Sequence, residues 1–468
     1  MSNTHKFFCD YNIYHGLIKA DRTWQLIFLV TKYNICYHTR ENTDKRAVKT
    51  GDNQRMAFKM IGVSLLFALL AAVVARSSAG TSCSPTEMDE ENLQKLGLAN
   101  NELGFNLLRK LNTGSQNIFF SPFSISTAFG MLFYGTRGET AEELRNVLGY
   151  EKADLLDDVV PDAFNRFLTQ VLKGSDSSDE YVLSAANAIL VDKYLRLLSE
   201  YKNGVEDLYK ASVREVNFAK DAAKLVGEIN AWVKEKTNGK IEKLLDRLSP
   251  STVMVLLNAV YFKGTWKVQF DKEKTKSGVF YNNGLESAQK NVPLMHMTER
   301  FRYTSFDDFQ ALELPYKGEN ISMLILLPNE RDGLRDLEDS LTPEKLSDVQ
   351  KQLYETKVII TLPKFKMEFE KELSPEFKAL GASSIFGGGD FSGMTAKGGV
   401  FVSQVLHKAV VEVNEEGSEA AAVTGIVANR MRPIVDMTPE FRADHPFLFA
   451  IIEKGSNMVL FLGSVNNL

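Results

Sequence analysis

Residues Glu415-Glu416-Gly417-Ser418-Glu419-Ala420-Ala421-Ala422-Val423-Thr424-Gly425 lie between two strongly apolar stretches near the C-terminus of a 468-residue chain. In an extended strand, successive side chains point to opposite faces. Ser418, Ala420, Ala422, Thr424 and Ile426 then share one face, and Glu419, Ala421, Val423, Gly425 and Val427 share the other. The first set is small and uncharged, so it can enter a sheet over a packed core without a clash or an unpaired charge. Glu419 falls on the opposite face and can stay in water. The pattern describes a loop that waits outside a sheet and inserts later. Gly, Ser and Ala also build flexible linkers, and Ser418 could cap a short helix, so the rest of the chain must decide.

Fourteen residues after Gly417 the small-polar character gives way to Arg430-Met431-Arg432, side chains that protease primary pockets accept. Residues 441–451 then read FRADHPFLFAI. This string, with the hinge before it, resembles the signature and reactive-centre loop of the serpin family. Four further segments match in the family's order: NIFFSPFSISTAFGMLFYG at 117–135, NAVYFKGTW at 258–266, LPKF at 362–365 and VLHKA at 405–409. The likeness covers roughly 91–468 and is strongest to secreted arthropod serpins, including those of tick saliva.

The resemblance implies an α+β serpin fold, with helices, three β-sheets and an exposed, insertable reactive-centre loop at about 415–440. It implies a single-use substrate of serine proteases and not an enzyme: an acyl-enzyme forms, the cut loop enters the central sheet, and the attached protease is distorted before it can deacylate. Glu416, Gly417, Ser418, Glu419, Ala420, Ala421 and Ala422 match the hinge. The family's count of fourteen residues from the hinge glycine sets the reactive bond between Met431 and Arg432, which suits elastase- or chymotrypsin-like pockets. The bond Arg430–Met431 is the alternative and suits trypsin-like enzymes. Cleavage after Arg432 ranks third, because Pro433 follows it. Ser121, Ser124, Asn187, Asn258 and His407 match the polar shutter where the central sheet parts; a satisfied core histidine is an equally serviceable reading of His407. A carrier or storage protein that does not inhibit is the other reading of the whole chain. Large or charged residues at Ser418, Ala420 or Ala422 would favour it, and there are none.

Residues 60–75, MIGVSLLFALLAAVVA, follow Lys59 and run into small residues through Ala79. This is the make-up of a secretory signal peptide, too short for a comfortable membrane span. Accordingly 56–79 is read as the signal, 1–55 as a doubtful leader from a gene-model extension, and 80–468 as the serpin domain, secreted and free of the membrane. Of three cysteines only Cys83 would survive processing, so no internal disulfide is available. A net charge of -5 gives no electrostatic reason to expect nucleic acid, and a monomer is expected. Asn320-Ile321-Ser322 is the sole glycosylation sequon, though it opens an apolar run that would partly bury it.

Leu96, Ala99, Leu103, Leu107 and Leu111 recur at helical spacing, as do Leu225, Ile229, Trp232 and Val233 before the Asn238-Gly239 stop. Short apolar or β-branched runs at 253–262, 321–327, 357–362, 447–453 and 458–462 read as strands, the last two joined by a turn at 454–457. Helices early and strands late, without alternation, give α+β. No G-x-S-x-G, P-loop or H-E-x-x-H is present, so no cofactor or metal is expected. Gly387-Gly388-Gly389-Asp390 reads as a surface turn, His445 as structural, and Glu415-Glu416 as solvated charges. The segment 159–174 matches the helix that binds heparin in some relatives, but offers only Arg166 and Lys173, so little activation is expected.

Overall fold

The computed structural model describes residues 85–112, 114–176, 181–417 and 438–468, within a compact unit spanning Cys83–Leu468. The leader, the signal segment and the loop residues 418–437 lie outside the described residues. In chain order the helices are α1 (Pro85–Leu111), α2 (Pro122–Gly135), α3 (Gly138–Val147), α4 (Val160–Asp176), α5 (Ser199–Tyr209), α6 (Phe218–Lys236), α7 (Leu334–Ser340), α8 (Pro343–Gln352) and α9 (Ser374–Leu380). The strands are β1 (Ile118–Phe120), β2 (Tyr181–Asp192), β3 (Ser212–Val216), β4 (Met254–Gly264), β5 (Lys276–Tyr281), β6 (Gln289–Ser305) and β7 (Phe309–Pro315). They continue with β8 (Ile321–Pro328), β9 (Tyr354–Pro363), β10 (Phe365–Glu372), β11 (Gln404–Val413), β12 (Glu440–Arg442), β13 (Phe447–Glu453) and β14 (Met458–Val465).

The β-ladders among the described residues connect into two sheets rather than the three expected from the family pattern. One has five strands in the order β10-β11-β4-β2-β3. The other has nine, β1-β14-β13-β8-β7-β6-β9-β12 with β5 also on β6. The long strand β6 causes the fusion. Its first residues pair with β5, Leu294–Tyr303 pair with β9, and Arg302–Ser305 pair with β7, so one unbroken strand carries two regions into a single network.

Helix α2 explains how the five-stranded sheet is held. Apart from Tyr134 every residue of it is buried, its hydroxyl residues included, the mark of a helix enclosed by the protein. Ser121 caps it, with Pro122 in the first helical turn. It packs against β4, β2 and β14. On β4 the side chains alternate: Asn258, Val260 and Phe262 face α2, while Ala259 and Tyr261 face a second cluster under α6. At the other end of the core, Phe119 stacks between Phe449 and Phe461, at 5.9 and 5.4 Å between ring centres. This ties β1 to the C-terminal hairpin of β13 and β14.

Candidate functional site

Strands β11 and β4 are parallel neighbours at the centre of the five-stranded sheet, in register from Gln404↔Val255 to Val411↔Phe262. One row across this seam carries His407 on β11, Asn258 on β4 and Asn187 on β2, each directly opposite the next. All face the N-terminus of α2. The Ser121 backbone N–H donates to His407 Nε2 at 3.4 Å, so the ring proton resides on Nδ1 and is donated to Asn258 Oδ1. Asn258 Nδ2 donates to the Ser124 carbonyl at 3.0 Å, to Ser124 Oγ and to Asn187 Oδ1. Ser124 Oγ donates in turn to Asn187 Oδ1 at 3.2 Å, and Ser121 Oγ donates to the Leu460 carbonyl at 2.6 Å.

The five residues sequence likeness assigned to the shutter are thus brought into one buried network. His407 is wholly inaccessible to solvent, and burial drops its imidazole from 6.5 to about 3. A neutral ring is what the tautomer requires. The side-chain bond from His407 to Asn258 crosses the seam itself. Chemically the row is a clasp across two parallel strands, and its polar groups could satisfy a third strand placed between them.

Beyond Val413 the chain turns over the end of β4. The carbonyls of Glu415 and Glu416 accept from the Phe270 and Trp266 N–H groups at 2.8 and 3.1 Å, and Trp266 Nε1 donates to the Asn414 carbonyl at 3.0 Å. Trp266 stacks on Tyr316, 4.5 Å between ring centres and 8° from parallel. Gly417 has φ +85°, and a Cβ there would come within 2.3 Å of the Gly264 carbonyl oxygen. Both the backbone conformation and the close approach demand glycine at this point.

Glu415 corrects the expectation of a solvated charge. It is 5% exposed, accepting from Lys364 Nζ at 2.9 Å and Thr275 Oγ1 at 2.9 Å. Burial pushes its carboxyl upward, but the hydrogen bonds from Lys364, the backbone and Thr275 outweigh it and hold the group below the usual range. Glu416 pairs with Lys272. Of the hinge, only Glu416 and Gly417 are described; Ser418, Glu419, Ala420, Ala421 and Ala422 lie outside the described residues, as do Arg430, Met431 and Arg432. Asn320 is exposed, not partly buried, because it precedes β8 in a turn while Ile321 and Ser322 go inward. His445 joins Asp444 at 3.0 Å and the Pro328 carbonyl at 2.8 Å, holding the chain between β12 and β13. Lys364, Thr275 and Trp266 were missed as site residues. Lys364 and Trp266 lie inside motifs quoted above, but no local signal says that they meet Asn414 and Glu415. Among the described residues no group of three or more His, Cys, Asp or Glu is placed to hold a metal ion.

Comparison with known proteins fits this arrangement. The family model "Serpin (serine protease inhibitor)" matches residues 98–468. Intracellular coagulation inhibitor 2 of Tachypleus tridentatus is 40% identical over 386 residues, covering 82% of this chain and 93% of its own. Iripin-2 of Ixodes ricinus is 42% identical over 383 residues, 80% of this chain and 94% of its own. Among solved structures, uncleaved ovalbumin superposes with a TM-score of 0.71 at 30% identity, covering 80% of this chain and all of its own. The match spans the central sheet, the clasp and the C-terminal hairpin together, and the chain belongs to the serpin family of protease inhibitors.

Proposed function

We propose that this chain is a secreted inhibitory serpin that traps serine proteases as acyl-enzymes by inserting its cleaved loop between β11 and β4. The single observation that carries the reading is the parallel pairing of these two strands, with the loop leaving β11 at their open end. A segment that leaves β11 and folds back must run antiparallel to it. Because β4 runs the same way as β11, that segment is antiparallel to both and can form complete ladders on each side. The small inward set from Ser418 to Ile426 can pass over α2 without burying charge, and the clasp has donors and acceptors to meet a newcomer.

The scissile bond is assigned to Met431–Arg432, with Arg430–Met431 as the alternative, and the targets to elastase- or chymotrypsin-like enzymes. The apolar run at 60–75 supports export, the exposed Asn320 supports glycosylation, and the inhibitor acts as a monomer. The experiment is incubation with a panel of serine proteases followed by denaturing electrophoresis. A complex that survives denaturant, with release of a C-terminal peptide, is expected. Cleavage without any such complex across the panel overturns trapping.

A further inference from the structure

The β11–β4 seam runs from the end near Gly417 to a far end at Gln404↔Val255. Strand β2 is antiparallel to β4, so its C-terminus reaches that far end: Val191 lies opposite Met254, and the Asp192 N–H donates to the Val253 carbonyl at 2.9 Å. The turn after β2, residues 193–198, is laced to residues 394–397. The Leu198 N–H donates to the Met394 carbonyl at 2.9 Å, and Thr395 Oγ1 donates to the carbonyls of Leu195 and Arg196. Tyr194 in this turn is 72% exposed, with Lys397 Nζ 3.5 Å from its ring centre, and Leu198 is 38% exposed. Arg196 sits at φ 51° and ψ 83°, a left-handed conformation that costs energy for a bulky residue and is held by Thr395. Lys193, Arg196 and Lys397 enter no ion pair among the described residues. Of the carboxylates in and against these segments, Asp192 accepts from the Tyr194 N–H and Glu215 from the Leu197 N–H and Lys202, while Glu200 lies in the first turn of α5. An exposed tyrosine among arginine and lysine is the make-up of a protein-contact hot spot, and its charge suits an acidic partner surface.

We propose that Lys193, Tyr194, Arg196, Leu198 and Lys397 form the seat on which the trapped protease comes to rest, held through an acidic region of the protease surface. This rests on the loop-insertion reading and names the surface that receives the cargo. With Ser418 opposite Val413 across a four-residue turn, Val427 falls opposite Gln404, and Ala428 to Met431 run on past the far end. Fourteen residues of strand from Ser418 to Met431 span about 46 Å against about 33 Å for the ten of β11, so the acyl bond arrives about 13 Å beyond the seam. Residues 193–198 and 394–397 are among the segments that border that point. A protease tethered there by one ester gains a second contact on the patch, which opposes its return to an active geometry and slows its release.

Carbodiimide cross-linking of the unmodified full chain tests the seat, using chymotrypsin or trypsin, whichever forms the denaturant-stable complex. Mass spectrometry should find Lys193 or Lys397 joined to a protease carboxylate in that complex. The same protease with its nucleophilic serine replaced by alanine stops before the cut and should give no such link. In a second measurement, Tyr194→Ser/Arg196→Glu should raise the rate at which active protease escapes from the complex by about fivefold or more, and Tyr194→Phe, which keeps the ring, should restore most of the retention. A complex without either cross-link, a link of equal yield to the inactive protease, or unchanged escape from the double variant overturns the seat and leaves trapping in place. Absence of a stable complex with either protease and with the wider panel overturns trapping, and the seat with it.

Discussion

His407 on β11 and Asn258 on β4 sit directly opposite one another across the parallel seam, and the imidazole Nδ1–H donates to the amide oxygen. The other ring nitrogen, Nε2, accepts from the Ser121 N–H, which requires a neutral ring in a site closed to water and gives the clasp a definite dependence on pH.

Burial lowers the folded His407 value to about 3 against 6.5, so the unfolded chain takes up the proton first as pH falls. Its contribution is complete above 6.5 and is lost on the way down to about 3, reaching about 2 kcal/mol of loss at pH 5. Glu338 on α7 acts in the opposite sense. Burial raises it to about 7 from 4.5, against hydrogen bonds from Ser464 and Asn112 that favour the charged form, so its contribution is complete below 4.5 and is lost as pH rises through 7. Denaturant midpoints measured from pH 4 to 8 should therefore separate by variant. H407Q removes the loss on acidification, and E338Q removes the loss between 4.5 and 7. Parallel curves for both variants and the native chain would show that neither group governs the slope.

The Glu415–Lys364 pair yields a second expectation. Lys364→Ala strands a carboxylate that is 5% exposed, with Thr275 as its side-chain partner, at a cost of about 1–3 kcal/mol. Because this pair holds the start of the loop against the end of β4, the variant should also lose inhibitory capacity faster than the native chain when held at an elevated temperature. Glu415→Gln, which keeps a hydrogen-bonding group in place without the buried charge, should be milder. Differential scanning and timed residual inhibition measure both effects, and native-like behaviour of Lys364→Ala on both counts removes the latch.

Much of this fold is legible in the amino-acid sequence, and the reason differs by element. The hairpin of β13 and β14 is buried on both faces, so its strands are continuous apolar runs broken only by the turn at 454–457. Helix α1 shows its buried stripe at helical spacing. By contrast β6 mixes exposed charges with buried positions over 17 residues, and its two halves serve different neighbours, so no single period marks it. The shutter residues were named through family likeness, yet their placement in one row depends on a parallel pairing between segments about 150 residues apart. Glu415 was misread because Lys364 and Thr275 come from elements remote in sequence.

The hinge gives a third prediction, which rests on the proposed insertion. Ser418→Arg or Ala420→Arg would carry a charge toward the buried side of the sheet over α2, where burying it is costly. Cleavage by the target protease should continue while the denaturant-stable complex falls at least tenfold. Native-ratio trapping by either variant would mean that these residues face the other way.

Specificity separates the two registers of the reactive bond by single substitutions. With Met431 in the primary pocket, Met431→Arg should weaken inhibition of elastase- or chymotrypsin-like enzymes and strengthen that of trypsin-like ones, because an acid at the base of the trypsin-type pocket selects a basic side chain. Arg430→Ala should then change little. If the bond is Arg430–Met431, the pattern reverses: Arg430→Ala abolishes inhibition of the best trypsin-like target, and Met431→Arg leaves the profile in place. The mass of the released C-terminal peptide reports the same choice independently. A fragment beginning at Arg432 places the cut after Met431, whereas one beginning at Met431 places it after Arg430 and overturns the preferred assignment.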